Sequence, residues 1–285
     1  MKTYITIHDA YLETLIDVYD HYEYKSAPRG LPIREKTDYT FRVLDPVNEP
    51  IRTRDPERNK VIADYTAKET ELYNSCSNKV EDFAKASKFW EKLANPDGTV
   101  NSAYGYLIWK NESNGNFFQE VVGPHVKRDV SPYGTTMSWP GPSQTSEWRQ
   151  SIKHMRTPWE WAKQCLIADK DTRQAFLRFS LPEHQWMGNK DQTCTMHANF
   201  LIRDDKLNLS VVMRSNDLVL GLVYDMPWFV SLIDRMVEEL KPHYPTLTKG
   251  TYTHTVHSLH IYERNEEMVL KMLGIRDVKN NPNNR

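Results

Sequence analysis

Apolar residues recur at helical spacing near the start of the chain, where Leu12, Leu15, Ile16 and Tyr19 share one side of a helix predicted over residues 8–22. The period then changes. Tyr39 to Leu44 is rich in aromatic and β-branched residues and reads as a strand that Asp45-Pro46 stops, while residues 58–94 return to a mostly helical pattern. Residues 120–148 are crowded with Pro, Gly and Ser and predict a long surface loop or insertion. Phe176 to Leu181 and Cys194 to Ile202 read as strands, Asp204-Asp205 as a turn, and Leu207 to Met213 alternates again. These segments make a hairpin, and a tight turn at the two aspartates sets Cys194 across from about position 215, in the neighbourhood of Arg214-Ser215. A helix over Pro227 to Leu240, a strand over Thr251 to Tyr262 and a last helix over Glu266 to Leu273 complete the pattern. Helices and strands mix along the whole length, and 285 residues fit a single large α/β domain or at most two domains.

Composition narrows the function classes. Hydrophobic residues form 39% of the 285 positions, with 8 Trp and 15 Tyr, which is enough for a sizeable core. The 37 basic and 38 acidic residues nearly cancel, so the field that would attract a nucleic-acid backbone is missing and direct nucleic-acid binding is not expected. Cys76, Cys165 and Cys194 are odd in number and widely spaced, which indicates neither a disulfide framework nor a zinc site and fits a reducing cytoplasm. No run approaches the roughly 18 apolar residues of a membrane span, and no apolar signal core follows Met1, so a soluble cytoplasmic protein is expected.

A lone cysteine most often serves as a small apolar group. Cys194 gains a second reading from Arg214, because a nearby guanidinium favours the thiolate, which is the nucleophile, and can also hold a phosphate in bidentate fashion. His254, His257 and His260 resemble a metal cluster only on paper: on a strand His257 faces away from the other two, so no metal site is expected. His260 and Tyr262 share a face. That pair suits a sugar hydroxyl, or simply a half-buried polar patch of a sheet.

Met213-Arg214-Ser215-Asn216-Asp217, then Gly221 and Asp225, with Cys194 twenty residues upstream, resembles the thymidylate synthase signature. Ser258-Leu259-His260-Ile261-Tyr262 is similar to that family's His-x-Tyr sugar contact, and Asn101-Ser102-Ala103-Tyr104-Gly105 with Trp109 to its active-site tyrosine segment. The resemblance is strongest over residues 60–265. It implies one α/β domain over 1–285 with a mixed, bent β-sheet flanked by helices, two copies packed sheet to sheet, and 5,10-methylenetetrahydrofolate as co-substrate. Carried over residue by residue, Cys194 is the nucleophile and Glu69 and Tyr104 handle water and protons. Arg214, Ser215 and Arg29 or Arg34 hold the nucleotide phosphate, and His260 and Tyr262 its sugar. Asp217, Trp90 and Gly221 lie on the folate side. Arg173 matches an arginine lent to the partner's phosphate site, although Gln174 departs from the usual arginine pair.

The base is decided at Asp225, where thymidylate synthases carry Asn. Cytosine offers an amino donor at C4 and an acceptor at N3, which a carboxyl sharing a proton complements. The implied reaction is transfer of a one-carbon unit to C5 of dCMP followed by hydration to 5-hydroxymethyl-dCMP. CMP hydroxymethylation, dUMP methylation and a catalytically silent nucleotide-binding protein are the alternatives.

Overall fold

The computed structural model describes residues 1–111 and 157–275. The stretch at 120–148 expected as a loop or insertion lies outside the described residues. One mixed sheet dominates, built from β1 (Lys2–Tyr4), β2 (Tyr24–Ser26), β3 (Ile33–Val43), β4 (Phe176–Arg178), β5 (Thr195–Arg203), β6 (Lys206–Met213), β7 (Asn216–Asp217) and β8 (Thr248–Tyr262). Its order is β1-β3-β8-β6-β5-β4, with β2 paired to β3 and β7 to β8. β8 runs antiparallel to β3 and parallel to β6, so a single long strand carries the change of direction through the middle of the sheet.

The helices are α1 (Ile7–Asp20), α2 (Pro56–Asn74), α3 (Val80–Ala86), α4 (Tyr104–Trp109), α5 (Pro158–Ala168), α6 (Val223–Leu240) and α7 (Glu266–Met272). Local chemistry sets their starts: Thr6 caps α1 by accepting from the Asp9 amide, and Asp55 caps α2 by accepting from the amides of Glu57 and Arg58, with Pro56 in the first turn. The helical stretch read over 58–94 is three pieces rather than one. Cys76 takes a φ of 56° and ends the first, and residues 88–92 form only a short 3-10 turn containing Trp90.

Two expectations shift at the site. The hairpin pairs Arg203 with Lys206 and Ala198 with Val211, but between His197 and Thr195 the register slips by one residue, so Thr195 meets Met213. This bulge at Met196 places Cys194 opposite Arg214 rather than Ser215, and the Arg214 amide donates to the Cys194 carbonyl at 2.9 Å. Cys194 itself lies just outside β5. The helix expected from Pro227 starts at Val223, preceded by a π-helical turn at Leu218–Leu222, and Pro227 sits inside it. Pro227 falls in the second turn and forgoes one bond, to the Val223 carbonyl, and the helix extends back far enough to carry Asp225.

The core on this side of the sheet is aromatic. Tyr73, Tyr104, Phe179, Trp228 and Phe229 pack ring against ring, with Tyr104 stacked on Tyr73 at 5.3 Å and on Phe229 at 6.3 Å. Gly105 makes this approach possible, because a Cβ there would lie 1.7 Å from the Tyr73 carbonyl oxygen.

Candidate active site

Cys194 is half-buried at the head of the hairpin, with the Arg214 guanidinium 3.6 Å from its sulfur. The same guanidinium donates to the Thr193 carbonyl at 3.1 Å and to the Gln192 carbonyl, so it is braced by the loop that delivers the thiol. The expected thiolate does not follow in the free protein. Burial pushes the thiol above its ordinary range and outweighs the opposing pull of Arg214 and Arg29, while Asp225 and Asp191 push it further up.

Behind the thiol lies a cluster of buried carboxyls and phenols. Tyr104 is buried, its hydroxyl accepts from the Thr195 amide at 3.3 Å, and burial together with the charges of Asp225 and Cys194 keeps it protonated. Glu69, on α2, is buried and pushed up to about 8, first by burial and then by the charge of Asp225; hydrogen bonds from Tyr65 and Tyr73 oppose the shift. Asp225, on the first turn of α6, is pushed up to about 7 by burial, against a hydrogen bond from Asn216. Two carboxyls that exchange protons near neutral pH suit acid–base work at one site.

On the sheet side, β7 pairs Asp217 with His260, and His260 meets Tyr262 edge-on at 5.1 Å. His260 is buried and its Nδ1 lies 3.2 Å from the Ser258 carbonyl. The other two histidines face elsewhere: His254 is buried against the Tyr252 hydroxyl, with burial lowering it to about 3, and His257 pairs with Asp38. Asp217 accepts from the Val219 amide at 2.8 Å, and burial raises its pKa against the charge of His260. Trp90 lies half-buried near the Tyr65 hydroxyl, and Ser215 is half-buried between Arg214 and β7.

Arg29 and Arg34 separate. Arg34 is committed to Glu266 at 2.9 Å and stacks near Tyr19 and Tyr22. Arg29 is exposed at a φ of 56°, holds no ion pair among the described residues, and its charge reaches both Cys194 and Tyr262. Arg173 is exposed ahead of β4 and does not join this chain's thiol cluster. Gly221 borders Asn216 and Asp225, whose oxygens a Cβ would approach within 2.4 and 3.6 Å.

Sequence reasoning missed Asn216, Tyr65, Tyr73 and Asp191. The tyrosines stand four residues either side of Glu69, a helical neighbourhood that the spacing contains. Asp191 accepts from the Ser102 amide at 2.8 Å and ties the tyrosine segment to the thiol loop; no sequence signal marks that contact.

Fold and site define a class: a mixed α/β protein in which a half-buried cysteine beside an arginine meets buried carboxyls and phenols. The chain belongs to the thymidylate synthase family, whose model matches residues 9–284. Such enzymes are folate-dependent one-carbon transferases that use methylenetetrahydrofolate as co-substrate. Among its relatives is the deoxycytidylate 5-hydroxymethyltransferase of Enterobacteria phage T6, 29% identical over 213 residues, 72% of this chain and 70% of that protein. A deoxyuridylate hydroxymethyltransferase of Bacillus phage SP01 is 29% identical over 56% of this chain and 39% of that protein. The fold is that of the thermostable thymidylate synthase A from Bacillus subtilis, with a TM-score of 0.59 and 17% identity over 93% of this chain and 84% of that one. Among the described residues no helix is long and apolar enough to cross a membrane.

Proposed function

We propose that the chain transfers a one-carbon unit from 5,10-methylenetetrahydrofolate to C5 of dCMP and hydrates it, releasing 5-hydroxymethyl-dCMP and tetrahydrofolate. Asp225 carries this reading. Its carboxyl, near neutrality at about 7, can present one donor and one acceptor to the N3 and 4-amino edge of cytosine. Uracil reverses that edge and would leave buried polar groups unpaired. Hydroxymethylation alone does not choose the base, since relatives named for either nucleotide exist.

In this reading Cys194 sulfur bonds to C6, and the electron pair of the C5–C6 double bond moves to C5, which takes the methylene carbon that the folate supplies. Loss of the C5 proton and cleavage of the methylene–nitrogen bond then release tetrahydrofolate and leave an exocyclic methylene at C5. Arg214 holds the sulfur's developing charge and, with Ser215 and Arg29, the nucleotide phosphate; His260 and Tyr262 bind the sugar. Asp217, Trp90 and the backbone at Gly221 seat the folate. Glu69 and Tyr104 order the water that ends on the new carbon, and expulsion of Cys194 restores the ring. The protein works as a homodimer in which Arg173 reaches the partner's phosphate site.

The test is to supply methylenetetrahydrofolate with dCMP, CMP or dUMP separately and weigh the products. A dCMP product heavier by one CH2O is expected. Methylated uridylate with dihydrofolate, or no product from either cytidylate, overturns the reading.

A further inference from the structure

Asn216 lies between two residues of the signature and is almost entirely buried, at 3% exposure. Its Nδ2 donates to Asp225 Oδ2 at 3.1 Å and approaches the Met213 sulfur at 3.0 Å. Its Oδ1 is buried without a hydrogen-bond partner and packs where Gly221 has no side chain. An unsatisfied buried carbonyl is a standing cost, which the opposite orientation of the carboxamide would place elsewhere. The orientation present spends the only well-placed donor on Asp225.

We infer that Asn216 is the positioning residue of the base reader: its carboxamide pins Asp225 Oδ2 as an acceptor and leaves the proton to Oδ1. The inference rests on the reading of Asp225 given above. A carboxyl so fixed offers one acceptor and one donor, the complement of a 4-aminopyrimidine. Rotation of the carboxamide would let Oδ1 of Asn216 accept a proton from Asp225 Oδ2. The other Asp225 oxygen would then be left as a bare acceptor, which suits the N3–H of uracil instead. The Met213 sulfur, a weak acceptor, holds the donor on the Asp225 side. Other groups acting across Asp225 are Glu69 and Tyr73 from α2, Tyr104 from α4, Cys194 from the hairpin and Tyr252 from β8; none is a cation.

Two variants test it independently. Asn216→Ala removes the donor, and Gly221→Ala keeps it but drives a Cβ to within 2.4 Å of Asn216 Oδ1, forcing the carboxamide to move. For each, kcat/KM is measured with dCMP and dUMP at a fixed folate concentration across pH, so that any effect on folate cancels in the ratio. The dCMP preference should fall about tenfold or more in both. In Asn216→Ala the alkaline limb of the dCMP profile should move to higher pH, because loss of the hydrogen bond raises the Asp225 pKa. A purely structural role would lower both nucleotides alike and leave the limb in place, and that result overturns the inference. Asp225→Asn is run alongside. If it leaves base preference unaltered, the reading of Asp225 itself has failed; if it swaps preference while the other two variants do not, only the role of Asn216 has.

Discussion

The carboxyls of Glu69 and Asp225, brought together from α2 and α6, titrate in one buried field, at about 8 and about 7, and the charge of Asp225 is part of what lifts Glu69. Neither has a cationic partner among the groups that shift it. Both therefore enter the neutral range as acids that can give up a proton, which ordinary surface carboxylates cannot do.

That arrangement has a stability signature. Both groups have folded pKa values above those of the unfolded chain, so the native state holds more protons between about pH 4 and pH 8. Stability from these groups is therefore fully present below about pH 4 and lost as pH rises through about 7 and 8. Glu69→Gln should raise the melting temperature by a few degrees at pH 8 and by almost nothing at pH 5, in thermal scans of the two proteins. A gain of equal size at both pH values would contradict a buried, protonated Glu69.

Cys194→Ser should separate binding from chemistry. Nucleotide affinity by calorimetry should stay within a few-fold, while turnover falls about a thousandfold or more, because the hydroxyl is far less readily ionised than the thiol. Retained turnover would remove Cys194 from the mechanism. In the native protein, reaction with a thiol reagent should rise with pH past the ordinary range for cysteine, since burial outweighs Arg214.

Gly105→Ala should be costly although it adds one methyl group. The new Cβ would meet the Tyr73 carbonyl at 1.7 Å, and backbone must move. A loss of about 3 kcal/mol in urea unfolding is expected, and activity should drop with it because Tyr104 no longer stacks on Tyr73. An unchanged midpoint would mean that α4 tolerates a shift away from α2.

The two early arginines should behave differently. Arg29→Ala should raise KM for the nucleotide about tenfold with little change in melting, as loss of one charge-assisted phosphate contact does. Arg34→Ala should lower stability by about 1 kcal/mol through its pair with Glu266 and its rings, and leave KM nearly unchanged. Reversed outcomes in the same kinetic and melting assays would exchange their roles.

Much of this was legible because local pattern and tertiary need agree. Asp204 and Asp205 adopt the positive φ values of a tight turn, at 50° and 54°, so alternation on either side sufficed to find the hairpin. Cys194 and Arg214 were found from the hairpin's spacing and Asp225 from the resemblance; the Arg214 guanidinium stands 3.6 Å from the sulfur, and the charge of Asp225 reaches it. What stayed hidden depends on contacts between segments distant in sequence. The bulge at Met196 is one example: the Met196 carbonyl accepts from the Phe179 and Ser180 amides, a partnership no local window contains. The sign of the thiol's shift was hidden for the same reason, since burial is a property of the whole fold. Asn216 was in plain view between Ser215 and Asp217, but only the missing side chain of Gly221 explains the room for its carboxamide.

The bulge makes the side on which the sulfur emerges a matter of parity. Strand side chains alternate, so one extra residue at Met196 turns everything before it over while everything after it keeps its place in the ladder. Which face the sulfur takes therefore hangs on how one residue is accommodated: a regular ladder that kept Met196 in register would set Cys194 across from Ser215 and turn its side chain over, whereas a chain without Met196 would keep Thr195 on Met213 and the cysteine on its present face.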